Sequence, residues 1–265
     1  MKFDLITTYY RALEPEREIE NLHCLTENVK NPLINNIYLF LQGHDKPEII
    51  DNDKIKYIKH NKRPLFNELF NFANSLQCDS IKIVSNSDIF FDSSLELVPR
   101  ALKKWDILAL TRYDLNDKGE YKFFRNFKSQ DCWIFNKPLE GEIGNYFIGQ
   151  YGCDNRLIHE FVQNNYKIAN PSFSIYTYHV HLSNLRSYFQ DPNYQYVLPP
   201  YGYLLPVYLK WNFNSLLNIN YVSLRYSFYK SIANNNLMSY QSNISIRLLG
   251  KLRSKFYAYF LNKLN

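Results

Sequence analysis

The stretch IKIVSNSDIFFD, residues 81–92, decides how the chain is read. An apolar run, Ile81–Val84, ends in Ser85-Asn86-Ser87-Asp88, and a second apolar group, Ile89-Phe90-Phe91, closes on Asp92. Polar residues, one of them acidic, in the middle of what otherwise reads as core call for an explanation. The surroundings suggest what kind. KFDLITT (2–8) reads as a first strand, and PEREIENLHCLTENVK (15–30) as a helix with Pro15 and Glu16 suited to its first turn. NNIYLFLQG (35–43) and KIKYIKH (54–60) read as strands. RPLFNELFNFANSLQ (63–77) reads as a helix with Leu65, Leu69 and Phe72 on one face. Strands alternating with helices predict βαβ units and a mainly parallel α/β sheet. In such sheets ligands bind beyond the carboxyl ends of the strands, which is where Asn86 and Asp88 fall.

Farther on, WDILALTRYD (105–114), EYKFFRN (120–126) and DCWIF (131–135) read as strands. GCDNRLIHEFVQNNY (152–166) reads as an amphipathic helix with Asp154 in the N-cap position. KIANPSFSIYTYHVHLS (167–183) reads as extended chain, which puts His179 and His181 on one face.

Bulk properties narrow the class. The 265 residues, 46% hydrophobic and 21% charged, suffice for one large globular domain with an extension. Cys24, Cys78, Cys132 and Cys153 form no C-x-x-C pair, so reduced thiols in a cytosol are expected rather than a zinc ribbon or disulfide framework. The N-terminus lacks the apolar core of a signal peptide, and no run is long enough to span a membrane. The expectation is a cytoplasmic protein. Charge is unevenly spread: residues 192–265 hold eight of the 31 Lys and Arg and none of the 25 Asp and Glu. Two zones follow, an α/β domain over 1–190 and a basic, Tyr-rich helical extension over 191–265. Within the latter, Leu249, Leu252, Phe256 and Phe260 lie at helical spacing, with Arg247, Lys251 and Lys255 on a neighbouring stripe. Such a helix suits an anionic membrane surface, at the inner face of a membrane, or equally a packed or partner-bound helix. No recognised nucleic-acid-binding signature accompanies the basic tail, so no nucleic acid is expected as a partner.

A strand followed by acidic-or-amide, any residue, Asp and a second apolar run resembles the D-x-D motif of GT-A-fold glycosyltransferases, here Asn86-Ser87-Asp88. The resemblance spans about residues 3–190. It implies a Rossmann-like mixed sheet and a divalent cation, Mn2+ or Mg2+, bridging the phosphates of a nucleotide-sugar, a UDP-sugar being the expected donor. By this resemblance Asp88 is a metal ligand, with His179, His181 or both as further ligands, and Arg186 neutralises the diphosphate. Asn86 departs from the family's first Asp and is assigned to the ribose or a supporting role; Ser87 lies with it. Thr8, Tyr9 and Tyr10 stand where the family receives the nucleobase, and Arg63 resembles its nucleotide-facing basic residue. In SQDCWIFNKPL (129–139), Asp131 would bond donor-sugar hydroxyls or steady positive charge at the anomeric carbon, and Trp133 would stack on the sugar or lie in the core. Asp154 would be the general base that takes the acceptor's proton.

The acceptor implied is a glycan or a lipid-linked sugar in surface polysaccharide or related glycan synthesis. Three alternatives remain at this level. The missing first Asp suits a non-catalytic glycan- or membrane-binding protein that retains the fold. The His pair suits a metal-dependent hydrolase. A sugar nucleotidyltransferase shares the fold, but its Gly-rich loop near the first strand is missing. Asp51 and Asp53 match D-x-D literally, yet precede a strand and read as a solvated turn.

Overall fold

Every residue of the first strand, β1 (Phe3–Tyr9), is buried, and the rest of the fold is laid down around it. The structure, a computed structural model, describes residues 2–43, 46–47, 52–76, 79–116, 118–124, 129–183 and 196–209. β1 pairs in parallel with β2 (Ile34–Leu41) on one side and β4 (Ile81–Ser85) on the other. β3 (Ile55–Lys59) adds in parallel beyond β2. β9 (Cys132–Phe135) runs antiparallel between β4 and β6 (Ile107–Leu110), and β10 (Ile168–Ala169) closes the edge in parallel with β6. The result is a seven-stranded, mostly parallel sheet in the order β10-β6-β9-β4-β1-β2-β3. This is the mixed α/β sheet that the alternation of elements implies.

Both faces of the sheet are covered, which is why β1 and β4 are buried along their whole length. Phe3, Leu5 and Ile83 pack on one face with Leu25 of α1 (Pro15–Lys30). Ile6 and Val84 pack on the other with Phe66 and Leu69 of α2 (Phe66–Ser75), and with Leu157 and Phe161 of α3 (Cys153–Gln163). α1 begins at Pro15, whose missing N–H costs nothing at that position. Its buried side is unusual, carrying Arg17, Glu20, Asn21 and Asn28 alongside Cys24 and Leu25.

WDILALTRYD is two strands rather than one. β6 belongs to the main sheet, and β7 (Tyr113–Leu115) belongs to a second sheet with β5 (Ile89–Phe91), β8 (Tyr121–Phe123) and β11 (Thr177–His179), four strands in the order β5-β11-β7-β8. The chain crosses between them at Thr111 and Arg112. Here the Thr111 N–H leaves the ladder and donates to Ser172 Oγ (2.8 Å) and Asn170 Oδ1 (3.2 Å). β5 follows the Asn86–Asp88 turn directly. Asn28 of α1 joins β5 to the main body. Its Nδ2 donates to the Ile89 carbonyl (2.8 Å), and its Oδ1 accepts from the Phe91 N–H (3.2 Å).

Residues 196–209, expected in the extension, pack on the α/β body. The Val197 N–H donates to the Tyr151 carbonyl (3.0 Å), the Gly202 N–H to the Asn155 carbonyl (2.8 Å), and Asn170 bridges to Pro206. The folded unit therefore reaches Leu209. Arg186 and the basic helix expected over 244–265 lie outside the described residues. Among the described residues no helix is long and apolar enough to cross a membrane.

Asn28→Ala removes both side-chain bonds to β5 and leaves a buried carbonyl and a buried N–H unsatisfied. The expected cost is about 2–4 kcal/mol, read as a lowered urea midpoint with an unchanged m-value.

Candidate active site

The turn at residues 86–88 is pinned from both sides by main-chain bonds. The Asn86 N–H donates to the Asp131 carbonyl (3.1 Å), and the Val180 N–H donates to the Asp88 carbonyl (3.2 Å). Two elements then close on the Asp88 side chain, which is 13% exposed. From α1, an Arg17 guanidinium N–H donates to Asp88 Oδ2 at 2.5 Å. From β11, His179 Nε2 lies 3.2 Å from the same oxygen. His181 follows two residues on, and its ring centroid is 5.5 Å from that of His179.

The network continues past His179. Its Nδ1 is 2.7 Å from Asp114 Oδ1 on β7. Arg112, at the crossover between the sheets, donates from Nε to Asp114 Oδ1 (2.7 Å) and from one terminal nitrogen to both oxygens of Asp131 (2.8 and 3.0 Å). Asn86 Nδ2 also donates to Asp131 Oδ1 (3.2 Å). At the far end Arg17 donates to Glu20 (3.0 Å) and to the Val180 carbonyl (3.3 Å), and Glu20 accepts from the Ser183 N–H (2.7 Å). Acids and bases thus alternate along Glu20, Arg17, Asp88, His179, Asp114, Arg112 and Asp131. Such pairing makes burial of these charges tolerable.

The electrostatics follow. Burial alone would raise the Asp88 carboxyl, but His179 and Arg17 beside it hold it well below its ordinary value. Burial disfavours the His179 imidazolium, yet Asp88 and Asp114 push it up to about 9. Burial and the charge of Arg17 push His181 down to about 4, so its ring is neutral near pH 7 and offers a lone pair. Burial, then the Asp131 carboxylate, push Asp154 up to about 8. Asp154 thus stands near the second acidic residue of the site, and the Cys153 thiol donates to its Oδ1 (3.2 Å).

The arrangement fits a divalent cation. The ligand atoms of Asp88, His179 and His181 all lie within 4.8 Å of one another. Asp88 Oδ1 and Asn86 Oδ1 are buried without a hydrogen-bond partner among the described residues, two acceptors left for an electropositive group. One carboxylate and two imidazoles, completed by water or ligand oxygens, is a donor set that Mn2+-like ions accept. His179 must lose its Nε2 proton to join it. The Nδ1–H bond to Asp114 then holds the tautomer that turns Nε2 toward Asp88.

Other residues named from the sequence stand elsewhere. Tyr9 is buried in the core and its hydroxyl donates to Glu18, so its face does not present a stacking surface. Trp133 is fully buried, edge-to-face on Phe66 with centroids 4.8 Å apart, because its side of β9 faces α2. It is a core residue and not a sugar platform. Thr8 is buried at the end of β1, and Ser87 is half-buried within the turn. Arg63 lies against Gly149 in the loop before α3, where a Cβ would come within 2.7 Å of its guanidinium. Asp154 is the second helical residue rather than the cap. Gly152 caps α3 at φ +87°. A Cβ there would stand 2.9 Å from the Val197 carbonyl oxygen. Asp53 sits exposed in the turn before β3.

Arg17, Arg112 and Asp114 were not anticipated. Their signals are present in the sequence: Arg112-Tyr113-Asp114 follows an apolar strand just as Asn86-Ser87-Asp88 does. Arg17, Glu20, Asn21 and Asn28 recur at helical spacing on the inward face of α1.

No family model and no curated protein matches the chain. Solved structures that are similar include 4-diphosphocytidyl-2C-methyl-D-erythritol synthase from Anaerococcus prevotii, at 16% identity and TM-score 0.34, over 63% of this chain and 84% of that one. S. aureus TarS 1–349 is similar at 13% identity and TM-score 0.41, over 68% and 60%. HddC from Yersinia pseudotuberculosis is similar at 14% identity and TM-score 0.29, over 51% and 74%. Likenesses at this level are outlines of a sheet, and the chemistry of the site rests on its own residues.

Asp154 yields a pH prediction. In the folded chain it keeps a proton up to about pH 8, whereas its ordinary value is 3.8. Between those limits the unfolded chain releases a proton that the folded chain holds, so this group's contribution to stability falls as pH rises. Asp154→Asn is expected to gain in stability relative to the parent from pH 5 to pH 8, by at most about 1.4 kcal/mol per pH unit, with the gain levelling off above pH 8. Thermal melts across that range check it.

Proposed function

We propose that the chain is a divalent-cation-dependent glycosyltransferase. It moves a sugar from a nucleotide-sugar, a UDP-sugar in the first instance, to a hydroxyl of a glycan or lipid-linked acceptor in surface polysaccharide or related glycan synthesis. The observation that carries this reading is the convergence of Asp88, His179 and His181 at the carboxyl end of β4, with their ligand atoms within 4.8 Å of one another. Asp131 and Asp154 provide a second pair of carboxyls nearby.

Asp88, His179 and His181 would hold a Mn2+-like ion, whose charge would offset that developing on a leaving diphosphate. The remaining work belongs to side chains. Asn86 Oδ1 is an open acceptor for a donor hydroxyl. Asp131, fixed by Arg112 and Asn86, offers its carboxylate to the hydroxyls of the sugar. Asp154 takes the proton of the acceptor hydroxyl as that oxygen bonds to the anomeric carbon. The carbon's bond to the diphosphate breaks, and the electron pair leaves with the diphosphate. Asp154 must be ionised for this, so turnover is expected to rise up to about pH 8. The basic segment 192–265 suits an anionic membrane surface, where a lipid-linked acceptor would be found.

One observation favours a non-catalytic protein that keeps the fold: Arg17 already neutralises Asp88 at 2.5 Å. A thermal-shift screen of UDP, GDP, CMP and dTDP sugars, with and without Mn2+, separates the readings. Stabilisation by one nucleotide class only when Mn2+ is present, abolished in Asp88→Ala, is expected. At a hundredfold excess over Kd it amounts to about 2.7 kcal/mol. No shift with any nucleotide would overturn the transferase reading in favour of the non-catalytic one.

A further inference from the structure

Arg112 links the sugar side of the site to its cation side. We propose that Arg112 is a positioning residue for transfer, whose guanidinium fork fixes Asp131 against the donor sugar and, through Asp114, sets the His179 ring against the cation. This inference rests on the functional reading above and adds to it a physical coupling between the two subsites.

The geometry is restrictive. One planar group donates to Asp131 Oδ1 and Oδ2 (2.8 and 3.0 Å), to Ser129 Oγ (3.0 Å) and to Asp114 Oδ1 (2.7 Å). Its central carbon lies 4.3 Å from the ring centroid of Phe124, which covers one face. The side chain is 10% exposed, and its backbone sits at the crossover from the main sheet to the small one. The Phe124 N–H donates back to the Arg112 carbonyl (3.0 Å). A guanidinium held by three acceptor residues and an aromatic face has no second rotamer that keeps these bonds.

Stability alone does not explain this choice. A buried Arg flanked by two carboxylates is commonly no more stable than apolar residues of the same volume. What the cluster supplies is position: Asp131 beside the Asn86 amide, and Asp114 on the Nδ1 side of His179. Lysine cannot substitute, because a single ammonium cannot grip two carboxylates along fixed directions.

The test uses the full chain and Mn2+, UDP and a panel of UDP-hexoses as probes. Wild-type binding of Mn2+ with UDP, measured by calorimetry, checks the functional reading itself. If it is absent with UDP, the assignment of UDP fails and the cycle is run with the nucleotide that the thermal-shift screen identifies; if no nucleotide binds with Mn2+, the functional reading fails and the present inference falls with it. Given wild-type binding, Arg112→Met is expected to weaken Mn2+ affinity about tenfold, as loss of a ligand's supporting group does. It should weaken it no further in an Asp114→Asn background, since the two act on the same imidazole. Release of UDP at saturating Mn2+ should fall about a hundredfold in kcat with little change in KM, as a misplaced catalytic group implies. Arg112→Lys, which keeps the charge and loses the fork, should show the same Mn2+ cycle, and it carries the test if the Met variant fails to fold. A folded Arg112 variant with Mn2+ affinity and kcat within threefold of wild type would overturn the proposal. So would effects of Arg112 and Asp114 that simply multiply, as two unconnected structural lesions would.

Discussion

Seven buried or partly buried charged side chains in alternating sign, from Glu20 to Asp131, are the constraint around which the site end of the molecule is organised. A charge removed from water needs an opposite charge or a hydrogen bond within reach, and removing one partner leaves the next exposed to the full penalty. Each member therefore fixes the position of its neighbours. Arg17 must be on the inward face of α1 because Asp88 is at the end of β4, and His179 must be on the inward face of β11 because Asp88 and Asp114 both need it.

The two sheets exist in relation to that network. The main sheet buries apolar surface on both faces, with Asp4 and Lys82 side by side on β1 and β4. Its parallel strands deliver their carboxyl ends to one edge, and there the chain turns out of the ladder at Asn86–Asp88 and again at Thr111–Arg112 to build the small sheet. β7, β11 and the turn before β5 bring Asp114 and Asp88 within hydrogen-bond reach of His179, although they lie 65 and 91 residues from it in the chain. The two open acceptors on Asn86 and Asp88 are what the network leaves unmet. An electropositive ligand is the natural complement.

Much of the frame was legible because local physics determined it. α1 begins at Pro15 and ends at Lys30 where its proline and its apolar spacing put it, and the apolar run of β4 ends at the polar turn. The i, i+2 spacing of His179 and His181 put both on one side of an extended segment. What was not legible depended on pairings distant in sequence. The break within WDILALTRYD is invisible to periodicity, because both halves are strand-like and only their partners differ. The sequence offers Trp133 either a sugar face or the core and Tyr9 a nucleobase, because aromatic side chains suit both stacking and cores, and burial decides between them. Arg17, Arg112 and Asp114 were overlooked because a charged residue in a helix or after a strand is ordinarily solvated. Their inward orientation becomes visible only once Asp88 and His179 are adjacent.

The measurement closest to the central claim is anomalous diffraction from a crystal of the full chain soaked in Mn2+. The expected result is one strong peak bonded to Asp88 with one or both of His179 and His181, and Arg17 withdrawn from Asp88 Oδ2. A soaked crystal with no peak at Asp88, and with the Arg17–Asp88 pair intact, would contradict the cation site and leave the network as a purely structural one.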